Sequence, residues 1–340
     1  MDIEQRIVRY LSLQWGEDEP VSIVALSRIH GGASRETFRV RVRRGVGAER
    51  GLIFRRDPVS TLIETEREIE FAAYRSFQDS AVPVPRALFL ERGTEWLDRP
   101  FFVMEEIEGC SAGSILAGDP YGAHRRRIGE QFHGILGRIA AQDAMASPLA
   151  AHVTIPAADE AWRLELAKWE KVIDEDELEP QPIARAVIRH LKANPPPPAQ
   201  KVSVIHGDYR TGNFLFDATG TIRAILDWEM AHIGDPLEDL AWALDPLWSS
   251  DRENPGGMLP RSEAIAIWEK SSGLVADPRA LQWWTLFASL KGLAIWISSA
   301  KEFQAGTNTD PVMAFSGLYC LPFHNKRLAD LLAEAKGVQP

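Results

Sequence analysis

Apolar and polar positions fall into two textures along this chain. Residues 2 to 14 fit a short amphipathic helix. From Val21 to Phe54 the texture changes, and the runs "VSIVALSRI", "ETFRVRVRR" and "GLIFRR" are short and β-rich, separated by "HGGAS" and "GVGAE", and read as consecutive antiparallel strands. "TLIETEREIEFAAYRSFQ" then places Ile63, Ile69, Ala73 and Phe77 at helical spacing. "VPVPRALFL" and "RPFFVMEEIEG" read as two further strands. Five strands and one helix make a β-rich first lobe over residues 1 to 103.

After Gly109 the spacing is helical over roughly 121 to 142, 157 to 175 and 181 to 193. "NPPPP" from Asn194 ends the last of these and reads as a rigid connector. Two short strands follow as one small hairpin, then helices to the C-terminus. The predicted architecture is α+β and two-lobed: an antiparallel β-sheet lobe with one main helix, a crossing segment at 104 to 110, and a mostly helical lobe over 111 to 340. The most apolar stretch, "WWTLFASLKGLAIWISSA" from Trp283, is interrupted by Lys291 and reads as a buried core helix, too short to span a bilayer.

Composition narrows the partners. The 340 residues carry a net charge of -10, with 45% hydrophobic and 25% charged positions. That balance argues against a general nucleic-acid or anionic-membrane binder, because both demand basic surface. It leaves room for an anionic cofactor held by local arginines and a metal. The two cysteines, Cys110 and Cys320, have no metal-binding spacing and read as free thiols in a reducing compartment. The N-terminus is mixed in charge and lacks an apolar core, so the expected location is cytoplasmic. Oligomeric state is left open.

The densest polar cluster interrupts an apolar run: "VIHGDYRTGNFLFD", residues 204 to 217. Asp208 and Asn213 are five apart, and Asp227 closes the next apolar run in "ILDWE". An H-x-D-x-x-x-x-N loop followed by a strand-end aspartate is the arrangement that phosphoryl transfer from Mg-ATP requires. One carboxylate accepts or orients the proton of the attacking hydroxyl, while an asparagine oxygen and a second carboxylate hold the metal. Hard oxygen ligands suit magnesium. Two plainer alternatives stand beside this: H-G-D as a turn whose aspartate caps a backbone N–H, and Asp227 as a helix N-cap.

These stretches, with "ILDWEMAHIGDPLEDLAW", "FFVMEEIEG" and "GGASRETFRV", resemble the aminoglycoside phosphotransferase and choline kinase superfamily. That superfamily has a protein-kinase-like fold. The likeness is greatest to the branch of phosphotransferase domains found beside acyl-CoA dehydrogenases. The resemblance implies Asp208 as catalytic base, Asn213 and Asp227 as metal ligands, and His206 bracing the loop from beneath. Arg210 occupies the place where protein kinases carry a lysine that neutralises the transferred phosphoryl group; a surface arginine paired with an acidic neighbour is the plainer alternative.

Gly31, Gly32 and Ser34 lie between two strands in "HGGASRETF" and are expected to cover phosphate with backbone N–H groups. No G-K-[ST] follows, so this is not a P-loop. The resemblance further implies a cation on the third strand held by a carboxylate on the next helix. Arg55 and Glu68 are expected there, with Arg56 as the fallback on the opposite face. Adenine is expected to meet backbone groups of Glu105 and Ile107 in "VMEEIEG". Glu229 is a candidate group beside the metal, and Asp235 is expected to support the loop.

The acceptor pocket is expected between the helical insert and the C-terminal helices, which carry Trp162, Trp169, Trp283, Trp284, Trp296 and Phe303. The reading is a small-molecule kinase moving the γ-phosphoryl of Mg-ATP, or GTP, to a hydroxyl of a small metabolite, antibiotic or hydroxyacyl compound. The rival from another class is a catalytically silent module that only binds nucleotide or ligand. A protein kinase is disfavoured, since no activation segment separates "DWE" from "GDP".

Overall fold

The computed structural model describes residues 2–16, 18–29, 36–57, 67–115, 117–249, 251 and 253–337. The chain folds into two lobes. In the first, β1 (Val21–Ile29), β2 (Glu36–Arg44), β3 (Glu49–Arg56), β4 (Ala87–Glu91) and β5 (Phe101–Glu105) form one antiparallel sheet of order β1-β2-β3-β5-β4. Period-two alternation gives this sheet two different faces. Val40, Val42, Leu52 and Phe54 bury beneath α1 (Ile3–Trp15), whose Ile7, Tyr10 and Leu11 lie one helical step apart. Asp2 caps α1 by accepting the Gln5 amide proton at 2.8 Å. On the opposite face Ile53, Phe102 and Met104 pack against α2 (Arg67–Phe77) through Ala72, Ala73 and Tyr74.

That second face belongs to the same apolar core as the other lobe. Phe77 of α2 lies 4.7 Å from Trp228, centroid to centroid, so the lobes are packed together and not merely tethered. The crossing segment leads from Glu105 to β6 (Cys110–Ala112).

The second lobe contains α3 (Arg125–Ala141), α4 (Ala161–Asp176), α5 (Pro182–Ala193), β7 (Ser203–Ile205), β8 (Phe214–Asp217), β9 (Ile222–Ile225), β10 (His232–Gly234) and α6 (Leu237–Ala243). It ends in α7 (Arg261–Ser272), α8 (Pro278–Ala305), α9 (Pro311–Phe315), a π-helical turn over Ser316–Cys320, and α10 (Leu321–Ala335). The expected hairpin is β8 with β9, but β6 adds a third strand to it, and β7 pairs separately with β10. Strands of three residues are too short to show a periodicity. The apolar stretch from Trp283 is the middle of α8, which α4, α6 and α10 surround. Among the described residues, no helix is long and apolar enough to cross a membrane. Cys110 and Cys320 are both free thiols.

Candidate active site

The polar loop joins β7 to β8, and each of its first residues is held from below. Gly207 sits at φ +83°, and a Cβ there would lie 2.4 Å from the Met230 carbonyl oxygen, so only glycine fits. Asp239 of α6 accepts the amide protons of His206 at 2.6 Å and Gly207 at 2.9 Å. The Gly207 carbonyl accepts a proton from the buried Lys291 ammonium of α8 at 2.6 Å. His206 braces the loop from beneath: its Nδ1 accepts the Asp208 amide proton at 3.1 Å, and its Nε2 donates to the Leu226 carbonyl at 2.8 Å. Those two partners define a neutral ring with the proton on Nε2. Burial holds the His206 pKa below its ordinary value, consistent with that form.

On this base the Asp208 carboxylate is oriented by three side chains. Trp242 Nε1 donates to Oδ1 at 2.9 Å, Arg210 Nε to both oxygens at 3.0 and 3.1 Å, and Asn213 Nδ2 to Oδ2 at 2.7 Å. These side-chain partners replace the turn-capping alternative. Arg210 also lies over the Trp248 ring at 5.0 Å.

Asn213 couples the loop to the second aspartate. Its Nδ2 also donates to the Asp208 carbonyl at 2.9 Å, so the side-chain oxygen is the atom left to receive a cation. Its backbone carbonyl accepts the Leu226 amide proton at 2.8 Å, beside Asp227. Asp227 has φ 66° and ψ 54°, a left-handed conformation that costs a non-glycine residue roughly 1 kcal/mol or more. Its side chain caps no helix, and its amide donates to the Tyr74 hydroxyl oxygen at 3.0 Å. Burial pushes the Asp227 carboxyl up, but Arg55 outweighs that and holds it below the usual carboxylate range.

Arg55 comes from the other lobe. Its Nη2 lies 2.8 Å from Asp227 Oδ1 and 3.9 Å from Glu229 Oε2, and its Nη1 lies 3.0 Å from Glu70 Oε1. Burial opposes its charge, yet Glu70 and then Asp227 raise the guanidinium pKa well above its ordinary value. The expected partner Glu68 is thus corrected to Glu70. Two residues are just over half a helical turn, so the carboxylates point to opposite sides of α2. Glu70 shares the buried face with Ala73, Tyr74 and Phe77, while Glu68 pairs with Arg92 at 3.0 Å. Arg56 is excluded as the fallback by the same alternation: it faces away, 2.6 Å from Glu36 and over the Phe38 ring.

Gly31, Gly32 and Ser34 lie outside the described residues. At the crossing segment the Glu105 amide already donates to the Arg86 carbonyl at 3.0 Å, so any adenine contact there falls to the Glu105 carbonyl. Ile107 is half-buried beside it. Asp235 has a supporting role: its oxygens accept the Leu237 amide proton and Trp284 Nε1 at 3.0 Å each. Burial pushes its carboxyl up to about 6. The segment holding Asp235, Asp239 and Trp242 is expected from the sequence to support the loop, but nothing in the sequence signals the bonds of Asp239 to its backbone or of Trp242 to Asp208, and Lys291 is visible only as a charge inside an apolar run.

A family model described as "Phosphotransferase enzyme family" matches residues 25–284. The chain belongs to that family. It is 27% identical over 217 residues to acyl-CoA dehydrogenase family member 10 of Mus musculus, covering 62% of this chain and 19% of that protein. It is 22% identical over 228 residues to family member 11 of Gallus gallus, covering 66% and 28%. The chain therefore spans less than a third of the length of these two relatives. Among solved structures, the family member shares its fold with a Ralstonia eutropha protein assigned to the aminoglycoside phosphotransferases (TM-score 0.73, 18% identity, 96% of this chain and 97% of that one). It also resembles choline kinase LicA from Streptococcus pneumoniae (TM-score 0.63, 14% identity, 96% and 99%). A thermostable aminoglycoside phosphotransferase solved with AMP-PNP and hygromycin B has the same fold (TM-score 0.63, 16% identity, 98% and 99%).

Proposed function

We propose that this phosphotransferase moves the γ-phosphoryl group of ATP to a hydroxyl group of a small molecule, with Asp208 as the base. The observation that carries the reading is the chain of contacts that joins Asp208 to Asn213, Asn213 to the backbone beside Asp227, and Asp227 to Arg55 of the other lobe. An asparagine oxygen and a carboxylate are hard donors that fit magnesium, and Asn213 and Asp227 would hold it. When bound, that ion neutralises charge developing on the transferring phosphates.

The chain's own residues do the rest. The Asp208 carboxylate aligns the acceptor hydroxyl and takes its proton as oxygen bonds to the γ-phosphorus and the bond to the ADP oxygen breaks. Trp242 and Asn213 fix the plane of that carboxylate, so it does not have to reorganise at the moment of transfer. Arg55 supplies a permanent cation for the nucleotide phosphates, and Arg210, beside Asp208, one for the transferring group. Glu105 and Ile107 would meet the base of the nucleotide, with Gly31, Gly32 and Ser34 over the phosphates. The test is ADP release from Mg-ATP with a panel of hydroxyl acceptors, for the wild type and Asp208→Ala. Acceptor-dependent release lost in the variant supports the reading; equal release overturns the assignment of the base.

A further inference from the structure

A cavity of about 950 Å³ lies in the second lobe between α7, α8 and α10. None of the six aromatic residues expected at an acceptor pocket lines it. Its inner wall is the Leu244–Pro246 turn, which joins Trp242 under Asp208 to Trp248 under Arg210.

Two arginines from different helices project into this cavity: Arg261 from the start of α7 and Arg327 from α10. Neither has an ion-pair partner among the described residues, and the Nε of Arg327 is buried without a hydrogen bond. Arg261 has only a 3.5 Å contact to the Thr285 hydroxyl. Burial, and then the charge of Arg327, push the Arg261 pKa down, with the Asp245 carboxylate pulling it partly back, so the two guanidinium groups repel each other across the cavity and both feel Asp245. Asp245, whose charge both arginines feel, already accepts from Ser289, His324 and the Leu247 amide. Three acids also line the wall, Glu253, Asp330 and Glu334, and Asp330 is paired with Lys326 at 2.7 Å.

Folding alone gives little reason to hold together, in a half-buried cavity, two cations that share one buried carboxylate and make no direct ion pair among the described residues; burying charge without a close partner is costly. A ligand anion would compensate both, and two guanidinium forks match a carboxylate or phosphate. Exposed apolar side chains stand on the rim beside the charged Glu253, Lys326 and Glu334: Leu318 is 81% and Tyr319 56% accessible, and both belong to the π-helical turn. Single π turns concentrate at functional sites. Leu281 and Phe323 continue the apolar wall inward. We propose that this cavity binds a small organic anion, an apolar chain ending in a carboxylate or phosphate, with Arg261 and Arg327 holding the anionic end. The inference stands independently of the phosphotransfer reading.

Hexanoate and hexyl phosphate, titrated calorimetrically against hexanol and hexylamine, test it and separate the two anion types. The expected result is that at least one anion binds while the alcohol and amine do not. Arg261→Ala and Arg327→Ala should each weaken that binding about tenfold or more, the loss of one charged hydrogen bond. Each variant should also keep or raise the thermal midpoint, because it removes a repulsion; a purely structural arginine would lower it. Hexanol binding as tightly as hexanoate, anion binding unchanged in both variants, or no binding by either anion overturns the proposal. Mg-ATP affinity measured on the same samples reports on the catalytic cleft separately.

Discussion

The guanidinium of Arg55 on β3 lies 2.8 Å from the Asp227 carboxylate at the end of β9, 172 residues further along the chain, and 3.0 Å from Glu70. One side chain thus ties the sheet lobe, its main helix and the candidate metal ligand together. Arg55→Ala should destabilise the fold by about 3 kcal/mol, because it leaves the fully buried Glu70 without its cation. Arg55→Lys should recover only part of that, since a single ammonium cannot serve both carboxylates in the same geometry. Urea unfolding of the three proteins measures both effects.

Asp208 is held by Trp242, Arg210 and Asn213 and, among the described residues, reaches no partner in the other lobe, so its removal should act on chemistry rather than on nucleotide binding. Asp208→Ala should lower turnover roughly a hundred- to ten-thousand-fold, the range for a positioned general base. ATP affinity should be nearly unchanged. Steady-state kinetics with an acceptor found by screening, alongside nucleotide titration, separates the two.

Lys291 is buried with its ammonium on the Gly207 carbonyl and 2.9 Å from Glu238, which in turn lies 3.0 Å from His232. Lys291→Met should cost about 3 kcal/mol by leaving the buried Glu238 with His232 as its one remaining cation among the described residues. It should also speed amide hydrogen exchange at His206 and Gly207 by loosening the loop. The double variant Lys291→Met/Glu238→Gln should regain part of the stability, because position 238 then carries no charge and His232 keeps Glu165 at 3.6 Å. A double variant no better than the single one would contradict the coupling.

Asp235 gives a pH signature with a defined sign. Its folded-state pKa of about 6 lies above the ordinary 3.8, so the folded protein favours the protonated carboxyl. The stability it contributes is complete below about pH 4 and is lost as pH rises through about 6. Asp235→Asn mimics the protonated form, so its stability relative to wild type should rise across that window. The full excursion is about 3 kcal/mol, from 1.36 kcal/mol per pH unit. Denaturant midpoints of both proteins at about pH 4 and pH 7 check it.

The parts of this molecule that could be read from the chain are those with local signatures. β1, β2 and β3 are eight or nine residues long, enough for a β-rich texture to show, and their ends match the runs closely. Asp208 and Asn213 share one loop, and Asp227 ends the strand after the next turn, so their relation survives in the spacing. The choice between Glu68 and Glu70 depended on where α2 begins and which face it buries, which no single residue announces. Trp242, Asp239 and Lys291 reach the loop only because α6 and α8 pass beneath it, and β7 and β10 are too short to signal themselves. The two arginines facing each other in the cavity stand 66 residues apart and have no shared motif.

Calorimetric titration of ATP, with and without Mg²⁺, into wild type and Asp227→Asn tests the central claim most directly. The account predicts binding that weakens about tenfold or more when magnesium is withheld, and by a similar factor in the variant with magnesium present. Nucleotide binding indifferent to both magnesium and Asp227, or no binding under any condition, would contradict it.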